Sequence, residues 1–215
     1  MHPSLHIQGS VATITLQNPE LANRLSVTDL EAIQSHINAV NKNPDILALK
    51  LQSTGDYFCS GFDISSLDKG AEEKSLLFEV IVNAFEDCRP ITVAVIQGGV
   101  YGGATDMALA CDFRIGSTAT EMFMPAAKLG IHFYQRGLER YVSRLGIDTA
   151  KRLLLCAEKI QSEEMKTLGF LTSLTSPEHL DQTADNLIAN LLKMAPLSLL
   201  GMKKHLNLIA RGCLD

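Results

Sequence analysis

Apolar residues recur along this chain in two rhythms. Leu5–Gln8 and Val11–Leu16 alternate apolar with polar residues, which predicts two strands joined by a turn at Gly9-Ser10. Val27, Leu30, Ile33, Ile37 and Val40 recur at three- and four-residue steps, which predicts a helix from Ser26 to Asn41, with Ser26 and Asp29 patterned as a capping box. Leu47–Leu51 reads as a short buried strand, and Ser53 to Phe58 as a loop. Residues 65–74 are polar and small without periodicity, so a mobile surface loop is expected there. Leu76, Leu77, Val80, Ile81, Ala84, Phe85 and Cys88 mark a second helix that stops near Arg89-Pro90.

Ile91–Ile96 is a run of mostly β-branched residues, expected as a buried strand. A glycine-rich turn follows, then a helix from Gly103 to Cys111 and a strand at Phe113–Ile115. The remainder reads as helices: Gln135–Leu145, Thr149–Ala157, one capped by Ser162, one begun by Ser176-Pro177-Glu178 and running to Met194, and a last one restarted by Pro196. Neither a low-complexity linker nor a tandem repeat in the residues interrupts this order.

The 215 residues suit one globular domain, or one with an appendage, and 46% hydrophobic residues supply a substantial core. The formal net charge of −5 argues against a nucleic acid partner. Five scattered cysteines without a C-x-x-C pair, and six histidines without ligand spacing, predict a reduced cytoplasmic protein with neither disulfide nor metal. No signal-like N-terminus and no run of membrane-spanning length is found, so no membrane association is expected.

Chemistry concentrates in a few places. The turn G-G-V-Y-G-G-A-T-D at 98–106 fits neither nucleotide-phosphate fingerprint. It reads either as a tight turn packed against a neighbouring strand, or as backbone donors at a helix N-terminus that receive a developing negative charge. Asp106 is either a first-turn carboxylate favoured by the helix dipole, or an acid/base whose pKa an apolar pocket raises. Cys59-Ser60-Gly61-Phe62-Asp63 reads as a turn after a strand. His132 and Tyr134, beside Phe133, are candidate proton donors or packing residues. Arg136, Arg140 and Arg144 share one helix face, either solvated or holding an anion, with the solvated face the stronger reading.

Taken in order, Phe58 to Ile64, Pro90 to Gly103, Ala108 to Ile115, Pro125, Lys128 to Ile131, Ser162 to Glu164 and Leu168-Gly169 resemble the crotonase, or enoyl-CoA hydratase/isomerase, superfamily. The resemblance implies an α/β spiral of β-β-α repeats over 1–195, followed by the start of a helical C-terminal region at 196–215, shortened relative to the family. It implies a coenzyme A thioester as substrate, no further cofactor, and a homotrimer or hexamer.

By position the resemblance makes Phe62 and Gly103 the amides of an oxyanion hole and Asp106 the catalytic acid/base. Ser60, Gly61, Asp63, Ile64, Leu67, Tyr101, Gly102, Ala126, Phe133 and Tyr134 fall at substrate-binding positions. Two departures stand out. The family's first glutamate is the shorter Asp106, and its second is Ala126. The expected function is acyl-CoA lyase or isomerase chemistry through a thioester enolate. Decarboxylation or hydrolysis of an acyl-CoA, and a non-catalytic acyl-CoA-binding subunit, are the alternatives.

Overall fold

The computed structural model describes residues 1–63 and 71–213. The predicted hairpin is present as β1 (Ser4–Gln8) and β2 (Val11–Leu16), paired antiparallel. The helix α1 (Val27–Lys42) follows, and Ser26 caps it through the predicted capping box with Asp29. Three strand pairs come next. They are β3 (Ala48–Ser53) with β4 (Tyr57–Cys59), β5 (Ile91–Ile96) with β6 (Gly99–Tyr101), and β7 (Phe113–Ser117) with β8 (Glu121–Phe123).

The first strand of each pair enters a six-stranded sheet ordered β1-β2-β3-β5-β7-β10, where β10 is Ser173–Thr175. The second strand enters a four-stranded sheet ordered β4-β6-β8-β9, where β9 is Ile160–Gln161. Each turn of chain therefore crosses from one sheet to the other. The helices α2 (Ala71–Glu86) and α3 (Gly103–Ala110) return it after the first and second pairs. This is a β-β-α spiral, although no repeat shows in the residues themselves.

The strands β4, β6, β8, β9 and β10 are the ones that periodicity misses, because two or three residues are too few to display a period of two. Tyr57–Cys59, read as loop and turn, is β4, and Gly99–Tyr101, inside the glycine turn, is β6. Of the loop expected at 65–74, residues 71–74 belong to α2 and 65–70 lie outside the described residues.

β5 is buried on both faces. Ala94 and Ile96 join the main core with α1, α2 and α3, while Val93 and Val95 pack with Leu180, Ala184 and Ile188 of α7 (Leu180–Leu191). The chain then adds α4 (Gln135–Leu145), α5 (Ile147–Cys156), α6 (Ser162–Thr167) and α8 (Pro196–Ala210). Ser162 is the first residue of α6 rather than its cap, and its hydroxyl donates to Thr118 O. Cys59, Cys88 and Cys111 are buried thiols, and burial pushes Cys59 up to about 12.

Candidate active site

Three turns of the spiral meet where β4, β6 and β8 end. Gly61 follows β4 with φ of +94°, a conformation that favours glycine. A Cβ there would stand 2.9 Å from Tyr101 O and 3.2 Å from Gly103 N. Gly102, at φ +54° and ψ −132°, is equally a glycine conformation and sets the N-terminus of α3. The two glycines bring the Gly61–Phe62 segment against the first amide of α3. Leu25 N donates to Gly61 O and Asp63 N to Leu25 O, which fixes the strand on either side of Phe62. Among the described residues, neither Phe62 N nor Gly103 N donates to a protein acceptor.

Residues far from the turn hold this frame. Asn23 sits at φ +52° and is buried; its Nδ2 donates to Thr54 O and Tyr57 O, both at 2.8 Å. Gln97 Nε2 donates to Ser53 Oγ at 2.8 Å and to Gly55 O and Tyr57 O, both at 3.0 Å. Gly98 lies on the backbone of the preceding turn, so a Cβ there would fall 1.9 Å from Asp56 O.

Gly102 and Gly103 open onto a cavity of about 490 Å³. Its wall is largely apolar, with the aromatic rings of Phe62, Phe78, Phe123, Phe133 and Tyr134 contributing. Phe78 of α2 lies at the centre: its ring is 5.9 Å from that of Phe62 and 6.5 Å from that of Tyr134, and a Cβ on Gly103 would meet its Cζ at 2.5 Å. Ser60, Asp63 and Arg24 also line the cavity, and Arg24 Nη2 lies 3.7 Å from Asp63 Oδ2.

Behind the wall is a buried charge cluster. Asp106 is fully buried in the first turn of α3 and does not line the cavity. Its Oδ2 accepts from Arg140 Nη1 at 2.7 Å and from the Tyr134 hydroxyl; its Oδ1 is enclosed and has no partner among the described residues. Arg140 is buried and also reaches Glu86 at 3.1 Å and Asn83 at 2.8 Å. Arg136 binds Glu86 and Asp87, and Arg144 donates to Cys111 O. The arginine row is therefore not a solvated face.

Gly137 permits the close approach of α4, since a Cβ there would lie 2.4 Å from the Phe133 ring and 3.1 Å from Asp106 Oδ2. Burial pushes the Asp106 carboxyl above its ordinary value, with Arg140 and Tyr134 pulling against it. Burial likewise opposes ionisation of Glu86, but its bonds to Arg140 and Arg136 hold it down at about 2. Burial, and then the neighbouring Asp106, keep the Tyr134 phenol well above its ordinary value.

The model of the enoyl-CoA hydratase/isomerase family matches residues 6–212. The chain belongs to that family. A short-chain-enoyl-CoA hydratase of Clostridium acetobutylicum is 26% identical over 208 residues, 94% of this chain and 80% of the relative. A peroxisomal Delta(3,5)-Delta(2,4)-dienoyl-CoA isomerase of Arabidopsis thaliana is 27% identical over 211 residues, 90% of this chain and 76% of the relative. The crystal structure of a family protein from Hyphomonas neptunium superposes with a TM-score of 0.93 over 100% of this chain and 85% of its own, at 23% identity, and shares the crotonase fold.

Of the residues singled out on the family pattern, Ser60, Phe62 and Asp63 line the cavity from the β4 side, and Tyr101, Gly102 and Gly103 from the β6 side. Ala126, Phe133 and Tyr134 line it from the segment after β8. Gly61 backs the frame and Asp106 lies behind Tyr134, so neither is on the wall. Ile64 and Leu67 fall outside the described residues. Sequence reasoning missed Phe78, Arg24, Asn23 and Gln97. It also missed the Arg140–Asp106 pair, for which Gly137, three residues before Arg140, was the available signal of a close helix approach.

Proposed function

We propose that this chain is an acyl-CoA lyase or isomerase that receives a thioester carbonyl between the amides of Phe62 and Gly103 and works through an enolate. The observation that carries this reading is the pair of amides that donate to no acceptor among the described residues, brought together at the Gly61–Gly103 contact beside an apolar cavity. Charge grows on the thioester oxygen only as the α-carbon becomes carbanionic. Fixed donors therefore favour the transition state over the ground state.

Hydratase and isomerase relatives are similar at nearly the same identity, so they do not choose between the two reactions. The wall does favour one. Water addition calls for a base for the water and an acid for carbon, whereas position 126 is alanine and Asp106 is behind the wall. Moving a double bond needs one group that takes a proton and returns it, so isomerisation is the reaction supported best.

The test is to incubate the purified protein separately with crotonyl-CoA and with a 3-enoyl-CoA, and to follow both by chromatography and mass spectrometry. The 3-enoyl ester is expected to rearrange without change of mass, faster than crotonyl-CoA gains water. If both esters bind and both come back unaltered, the reading fails.

A further inference from the structure

The cavity wall and the buried charge cluster meet at one side chain. Tyr134 lines the cavity and its hydroxyl donates to Asp106 Oδ2. Asp106 follows Gly103 by three residues in α3, about 4.5 Å along the helix axis at ~1.5 Å per residue. Both Gly103 and the Tyr134 ring flank Phe78. The phenol thus contacts a carboxylate that lies about one helical turn from Gly103 and does not itself line the cavity.

We propose that Tyr134 is the catalytic acid–base of this site, and that Asp106 is the positioning residue that holds the phenol and exchanges a proton with it. The proposal rests on the reading that the Phe62 and Gly103 amides stabilise a thioester enolate. In the forward step a C–H bond at the α-carbon breaks and its proton bonds to Tyr134 Oη. The Oη–H bond breaks as this happens, and that proton passes to Asp106 Oδ2. The electron pair left on carbon delocalises onto the thioester oxygen. The reverse transfer, to the same carbon or to the far end of a conjugated system, restores the phenol and the carboxylate.

The arrangement explains three observations together. A phenol raised by burial and by Asp106 is a poor leaving point for a lone proton, and the coupled transfer never leaves a free tyrosinate in the wall. Burial makes Asp106 a better proton acceptor than an exposed carboxylate. Arg140, anchored by Glu86 and Asn83, fixes Oδ2 under the phenol, so the acceptor does not drift.

The experiment is α-proton exchange in deuterium oxide, with butyryl-CoA as the probe and mass spectrometry as the readout. This saturated ester has no double bond to hydrate or move. The full chain is compared with Tyr134→Phe, Asp106→Asn and Asp106→Glu, with melting curves and binding of the ester measured beside each. Tyr134→Phe keeps the ring and its packing. It is expected to slow exchange by about 100-fold, the lower range for loss of an acid–base group, with the dissociation constant of the ester within about threefold. Asp106→Asn is expected to lower kcat while KM is held, and Asp106→Glu to recover part of it.

Exchange by Tyr134→Phe at the rate of the unaltered chain overturns the proposal and leaves the oxyanion-hole reading intact. An unaltered chain that binds butyryl-CoA without exchanging any proton overturns both. If Asp106→Asn does not fold, the Tyr134→Phe comparison decides alone.

Discussion

Gly61 is the residue on which the approach of the Phe62 segment to α3 turns. Its left-handed φ and the 2.9 Å between a would-be Cβ and Tyr101 O leave no room for a side chain. Gly61→Ala must displace either β6 or the Phe62 amide. Loss of one such donor costs about 10²- to 10³-fold in turnover. We expect kcat for thioester conversion to fall by at least about 10²-fold in Gly61→Ala, with the ester still bound; steady-state kinetics beside a binding isotherm checks this, and an unchanged kcat would remove Phe62 N from the mechanism. At this scale the resemblance singled out Phe62 and Gly103, because each stands in a short motif of neighbouring residues, and both line the cavity. It could not place Asp106. What decides whether that carboxylate meets substrate is Arg140 and Tyr134, 34 and 28 residues further on, and no local pattern records those contacts.

Among the elements, α2, α3 and α4 are tied by charge rather than by apolar packing alone. Removing Arg140 would leave Glu86 and Asp106 buried beside each other, and breaking a buried pair in this way costs ~3–5 kcal/mol. Arg140→Ala is therefore expected to lower the urea midpoint by that amount of stability; a change under ~1 kcal/mol would mean that the cluster is solvated and slack. Glu86 gives the cluster a pH signature. Its folded pKa of about 2 lies below its ordinary 4.5, so its contribution is present above pH 4.5 and is lost as pH falls towards 2. Asp106 has the opposite sign, since its folded pKa is raised and protonation favours the folded state over part of that range. Comparing the chain with Glu86→Gln isolates the first effect: the acid slope of stability between pH 4.5 and 2 should be shallower in the variant, and equal slopes would count against the pairing. The long elements were legible because α1 carries full helical periods and β5 is an unbroken run of mostly β-branched residues. The arginine face of α4 was misread because the same spacing serves a solvated stripe and a buried one.

For the whole molecule, the spiral could be read only through the resemblance. Its second sheet is made of strands of two or three residues, whose existence depends on partners in other turns. A buried cation is one of the polar ties that join α8 to this frame, beside the bond from Asn207 Nδ2 to Glu86 O. Lys203 Nζ donates to Pro90 O at 2.6 Å and pairs with Asp112, which also accepts from Thr92 N at 2.7 Å. Lys203→Ala should loosen α8 and leave Asp112 undercompensated, seen as faster amide hydrogen exchange across α8 and at the start of β5; protection equal to the unaltered chain would show that the remaining contacts of α8, the Asn207 bond to Glu86 O among them, dock the helix without Lys203.

The frame behind the cavity is held by Asn23, Gln97 and Gly98, none of which lines it, whereas Phe133 and Tyr134 stand on its wall. Stability of geometry and choice of substrate are therefore written in separate residues. A lineage built on this scaffold is free to exchange the wall for new chemistry while selection keeps the three distant positions fixed, so its slowest-evolving residues would be ones that never meet a substrate.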